Sequence, residues 1–196
     1  MNFLAHLSLS DEDDDLMLGN FIADAVRSSE WPNYQSRVVE GIRLHHKIDF
    51  YTDSHPVVSE SKKRLRPNHG KYSPVVVDII YDHFLARSFE EYHHQDLRDF
   101  AGAAYRLFRS RWDELPGAIQ YMLPHMERGN WLVNYGHREG LQRVFNGMSR
   151  RASFKNQMQD ATADLYREYD IFEKHFQEFY PDLRAYVKAR IKEIND

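Results

Sequence analysis

Apolar residues recur along this chain at spacings of three, four and seven, and nowhere alternate over a strand's length. The pattern predicts helices throughout and no sheet. Its most informative stretch is residues 38–54. At about 100° per residue, Val38, Ile42, His45, Asp49 and Asp53 fall on one stripe. The stripe begins apolar, so it faces the core, and then continues with an imidazole and two carboxylates. Unpaired charge is costly to bury there, and a metal ion is one candidate partner. Pro56 restricts His55 to extended conformations and ends this helix near Ser54. A second helix is predicted over residues 74–92. It is apolar on most sides, and Asp78 and Asp82 lie one turn apart in its apolar arc, with His83 beside the latter.

The remaining pattern predicts helices over residues 2–10, 16–28, 56–66, 96–112, 116–126 and 138–148. Residues 11–15 read as a solvated acidic loop, because they lack the ligand spacing and central glycine of a calcium loop. Residues 31–36 and 68–70 read as turns. An aromatic stripe from Met158 through Phe172 and Phe179 predicts a long helix over residues 154–180, broken or kinked by Pro181, and a final helix over 182–194. The expected architecture is all-α, one domain spanning residues 1–196, with no repeat.

Composition narrows the function. The chain has 196 residues, 42% hydrophobic and 29% charged, which fits a soluble globular protein. The absence of cysteine excludes thiolate ligands, cysteine nucleophiles and disulfides, and fits a cytoplasmic location. A net charge of −4 gives no general footprint for nucleic acid. No apolar run reaches membrane-spanning length.

The site chemistry is therefore histidine and carboxylate: His6, Asp24, His45, Asp49, Asp78, Asp82 and His83. Such donors suit manganese, magnesium, iron or zinc. His6 has two readings, a satisfied histidine at the core edge or a ligand. Asp24 also has two: a surface pair with Arg27, or a ligand beside an arginine ready to grip phosphate. His45 lies on the stripe and His46 off it. These features outline a helical metal-dependent phosphohydrolase.

Six ordered motifs sharpen that outline: MNFLAHL, GNFIADAVR, GIRLHHKIDFYTDSHP, DIIYDHFLA and, further on, NWLVNY and GMSRR. Together they resemble the acyl carrier protein phosphodiesterase family from Met1 to about Arg151. The resemblance implies hydrolysis of the phosphodiester joining 4′-phosphopantetheine to a serine of holo-acyl carrier protein (ACP). It also implies manganese dependence, with magnesium or another divalent ion as substitutes, and a helical fold distantly related to the HD phosphohydrolases. By position in the motifs it implies Asp24, His45, Asp49 and Asp82 as metal ligands, with His6 as a further one. His83, or a water held by Asp78, would serve acid–base work. Here the pair runs Asp82-His83, the reverse of the HD order.

ACP is acidic as a class, so docking should use local positive charge. Lys62, Lys63, Arg64 and Arg66, extending to Lys71, form the densest basic cluster, with Arg150 and Arg151 as the second choice. Two rival functions remain at this level. One is an HD-like phosphohydrolase acting on a nucleotide or alarmone. The other is a non-catalytic helical ACP-binding protein.

Overall fold

Twelve α-helices, joined by short 3-10 turns, make up residues 1–195, the part described by this computed structural model. No strand occurs among the described residues. The fold is all-α, as the periodicity predicts. No helix is long and apolar enough to cross a membrane among the described residues.

The first five helices build the site. Helix α1 (Phe3–Ser8) and α2 (Asp14–Ile22) lie against α3 (Ser36–Ser54) and α5 (Ser73–Arg87), and α4 (Pro56–His69) joins the last two. Asp13 is the N-cap of α2. Its carboxylate accepts the Leu16 N–H at 2.9 Å and pairs with Arg37, which satisfies a helix-end donor. The acidic run is therefore only partly loop: Asp14 and Asp15 form the first turn of α2, where negative charge suits the helix dipole. Arg111 pairs with Asp15 at 2.8 Å and ties this turn to the outer helices.

Helices α2 and α3 approach until backbone meets backbone. A Cβ on Gly19 would lie 2.0 Å from the Val38 carbonyl oxygen, and one on Gly41 would lie 2.4 Å from that of Leu16. Only glycine fits at this crossing. Of the stripe expected on α3, Val38, Ile42 and His45 are buried, Asp49 is half-buried at the site and Asp53 is exposed, while Arg43 and His46 lie off the stripe and face solvent.

The outer layer comprises α6 (Phe89–His93), α7 (Leu97–Ser110), α8 (Gly117–Arg128), α9 (Trp131–Asn134), α10 (Arg138–Arg151), α11 (Ala161–Arg167) and α12 (Tyr169–Asn195). Several boundaries differ from expectation. The helix expected over 16–28 stops at Ile22, followed by a 3-10 turn at Ala23–Ala25. The helix expected over 74–92 ends at Arg87, where the Ser88 N–H bonds back to Phe84 and Leu85. The residues expected as a turn at 31–36 partly lie in the 3-10 helix Ser28–Asn33. The largest correction is at the end. The chain breaks at Glu168, not at Pro181, which lies inside α12. Phe172, Phe176 and Phe179 before the proline and Leu183, Val187 and Ile191 after it are all buried. Packing along one continuous face outweighs the single backbone hydrogen bond lost.

Because the added methyl would strike backbone rather than a movable side chain, Gly41→Ala should destabilise the protein by about 3 kcal/mol. Urea denaturation should show a lowered midpoint with an unchanged slope. A change below about 0.5 kcal/mol, the range of an ordinary surface substitution, would show that the two helices separate freely.

Candidate metal centre

Helices α1 and α3 deliver three donors to one point, and α2 supports them from behind. A nitrogen each from His6 and His45 and an oxygen from Asp49 all lie within 4.8 Å of one another. His6 Nε2 is 3.1 Å from Asp49 Oδ1, and His45 Nε2 is 3.3 Å from Asp49 Oδ2. His45 and Asp49 are one turn apart on α3, so the helix itself sets that spacing. The two imidazoles stack, centroids 3.9 Å apart and 15° from parallel.

Asn20 decides which way both rings present themselves. Its side-chain NH2 donates to the His6 carbonyl at 2.6 Å and to Ser10 Oγ at 3.2 Å. That leaves its side-chain oxygen to accept from His6 Nδ1 at 2.9 Å. Its backbone carbonyl lies 2.9 Å from His45 Nδ1, which must donate because a carbonyl cannot. With both Nδ1 atoms protonated, each neutral ring offers the lone pair of Nε2. His6 Nε2 then faces Asp49 and the Met1 carbonyl, 3.2 Å away, while His45 Nε2 faces Asp49 and Asp24. Acceptors converging on acceptors need a proton or a cation between them. This donor set, with the far ring nitrogens fixed from behind, fits a divalent metal.

Electrostatics agree. Burial, reinforced by the neighbouring His45, lowers the pKa of His6 to about 4. Burial also opposes charge on His45, but hydrogen bonds to Asp24 and Asp49 prevail and raise it to about 9. A proton on His45 can thus stand where a cation would between these acceptors. The same histidines hold Asp49 well below the ordinary carboxylate range against the opposing effect of burial. Asp24, exposed on the turn after α2, is lowered by its hydrogen bond to His45, 3.3 Å away.

The other expected site residues are placed differently. Asp82 is fully buried, and its two oxygens accept the N–H groups of Asn2, Leu4 and Ala5 at 3.2, 2.7 and 3.4 Å. It caps α1 from α5, and so positions His6 from outside the cluster. Burial raises its pKa to about 7 despite those donors. His83 points elsewhere: its Nδ1 donates to the Tyr135 carbonyl at 2.7 Å and its Nε2 accepts from the Tyr169 hydroxyl at 3.0 Å. Burial lowers its pKa to about 4, and it stitches α5 to α12. Asp78 is partly buried and lies 3.0 Å from the Met1 amino group, which is also 3.7 Å from Asp49. Arg27 is exposed; its backbone N–H donates to Glu30, and its side chain lines neither cavity at the site.

Two cavities adjoin each other beside the cluster. The smaller, about 280 Å3, contains His6, Asn20, His45, Asp49, Asp53 and Asp78. The larger, about 560 Å3, is walled by Phe3, Tyr72, Val75, Trp131, Met148 and other mostly apolar side chains. Asn2, Phe3, Asp24, Val75 and Met148 line both. In the sequence, Asn20 and Trp131 are marked only by lying in the motifs GNFIADAVR and NWLVNY, without a role, and Arg143 in the larger cavity carries no signal.

The chain matches the acyl carrier protein phosphodiesterase family model over residues 1–183. An acyl carrier protein phosphodiesterase of Enterobacter sp. (strain 638) is 34% identical over 195 residues, 99% of this chain and all of the relative. Proteins of the same name from Salmonella newport (strain SL254) and Salmonella paratyphi C (strain RKS4594) are 33% identical over 186 residues, 94% of this chain and 96% of theirs. No solved structure matches the chain. The chain belongs to the acyl carrier protein phosphodiesterase family.

A pH prediction follows from His45. Its raised pKa stabilises the metal-free fold fully below its unfolded value near 6.5, and that stabilisation is lost as pH rises through about 9. Metal binding needs the same lone pair, so at pH 7.5 it should expel close to one proton. Calorimetry in buffers of different ionisation enthalpy should show this release, fading by about pH 10. A release near zero at pH 7.5 would remove His45 from the ligand set.

Proposed function

We propose that this member of the acyl carrier protein phosphodiesterase family is a metal-dependent hydrolase of holo-ACP. It cleaves the phosphodiester between 4′-phosphopantetheine and the carrier serine, giving apo-ACP and 4′-phosphopantetheine. The observation that carries the reading is the convergence of His6 Nε2, His45 Nε2 and Asp49 in the smaller of two adjoining cavities. His6, His45 and Asp49 would hold the metal, with Asp24 as a further ligand; manganese is the proposed ion, on family resemblance. A divalent ion bound there offsets phosphate charge and supplies hydroxide near neutral pH.

The chain's own groups divide the remaining work. Asn20 holds both imidazoles in one tautomer and orientation. Asp24, ionised and at the junction of the cavities, accepts the proton of the attacking water. The serine oxygen is a poor leaving group and needs a proton as it departs. Asp78 lines the smaller cavity, and burial raises its pKa against the pull of the Met1 amino group. In this reading Asp78, pushed upward by burial, passes the proton to the leaving oxygen through a water. His83, with both nitrogens engaged by Tyr135 and Tyr169, has no free proton to give. The apolar walls of the larger cavity suit the uncharged length of the pantetheine arm.

The test is to strip the protein of metal, add purified holo-ACP with and without manganese, and weigh the carrier. The phosphopantetheine mass should disappear only with metal, and His45→Ala should lower the rate at least 100-fold while remaining folded. No cleavage by folded, metal-loaded protein would overturn the reading. Cleavage of nucleotides instead would point to the wider phosphohydrolase class.

A further inference from the structure

In the basic cluster most conspicuous in the sequence, three members are neutralised by carboxylates, and the other two, Arg66 and Lys71, line neither cavity at the site. Lys62 pairs with Asp53 at 2.6 Å, Lys63 with Glu60 at 2.7 Å and Arg64 with Glu168 at 2.5 Å. Charges already satisfied by neighbours project little potential toward a partner.

Helix α10 is different. Residues 138–155 carry five basic side chains against the single acid Glu139, a local +4 in a chain of net −4, so the rest carries −8. Arg143, Arg150 and Arg151 have no carboxylate within 4.0 Å among the described residues and are exposed. Arg143 and Arg151, two turns apart, line the larger cavity, and no other arginine or lysine lines either cavity. Beyond α10, Phe154 stands 63% exposed with the Lys71 ammonium 3.2 Å above its ring. An exposed aromatic beside unpaired cations is the composition of an interface centre rather than of an ordinary solvated face.

We infer that this face is the docking surface for the acidic protein that carries the substrate phosphodiester. The occupant follows from two features of the same patch: its positive charge, and its continuity through the larger cavity with the His6–His45–Asp49 cluster. An acidic carrier seated on Arg143 and Arg151 would have its serine-linked group at the cavity they line. The inference rests on the proposed reaction for the identity of the partner, but the contact itself needs no catalysis.

Binding of labelled apo-ACP, which lacks the arm, tests it by fluorescence anisotropy. Arg143→Glu with Arg151→Glu should raise Kd at least tenfold, and Arg143→Ala with Arg151→Ala should raise it about threefold or more. Lys188→Glu with Lys192→Glu makes the same change in net charge on exposed positions of α12 and should leave Kd within twofold. Added salt should weaken wild-type binding more than binding by the Glu pair. Folded α10 variants with unchanged Kd, equal losses in both charge-reversed pairs, or no wild-type binding would overturn the surface. Wild-type protein that binds apo-ACP through these arginines yet leaves metal-loaded holo-ACP intact would instead overturn the reaction and spare the surface.

Discussion

The site depends on one residue serving two rings. Asn20 accepts a hydrogen bond from His6 through its side chain and from His45 through its backbone carbonyl. It can do both only because α2 and α3 touch at Gly19 and Gly41. The backbone contact thus has a chemical purpose: it places a carbonyl of one helix beside an imidazole of the next. Asp82 completes the arrangement by gripping the start of α1, which fixes His6 against the same asparagine. Outer groups that orient metal-binding histidines commonly matter as much as the ligands themselves. Here they also determine that the lone pairs face inward.

That support explains what the sequence could and could not reveal. The stripe of α3 was legible because helix period alone puts His45 and Asp49 on one face with Val38 and Ile42. The acids of α5 were legible as buried, but not in their roles. Period places Asp82 in the apolar arc and says nothing of which backbone donors it will meet. His83 looked available because a ring beside a candidate ligand draws attention; its partners Tyr135 and Tyr169 lie 52 and 86 residues away. Gly19 and Gly41 carry no periodic signal at all. Pro181 misled for a related reason: a local rule about proline lost to a buried face that runs the length of α12.

Charge follows the same lesson. Density of lysine and arginine in sequence is a poor guide to surface potential, because carboxylates from other helices arrive in three dimensions. Glu168, far along the chain, takes up Arg64, whereas nothing acidic reaches Arg143 or Arg151 among the described residues. A protein of net negative charge can therefore present one positive face to an acidic partner, and that face adjoins the cavity leading to the histidine cluster.

The most direct test of the account is to crystallise the protein with manganese and map the anomalous scattering. The account predicts one strong peak bonded to His6 Nε2, His45 Nε2 and the Asp49 carboxylate, with both Nδ1 atoms still on Asn20. A peak on Asp82 or beside His83, or no peak within bonding distance of the two imidazoles, would contradict it.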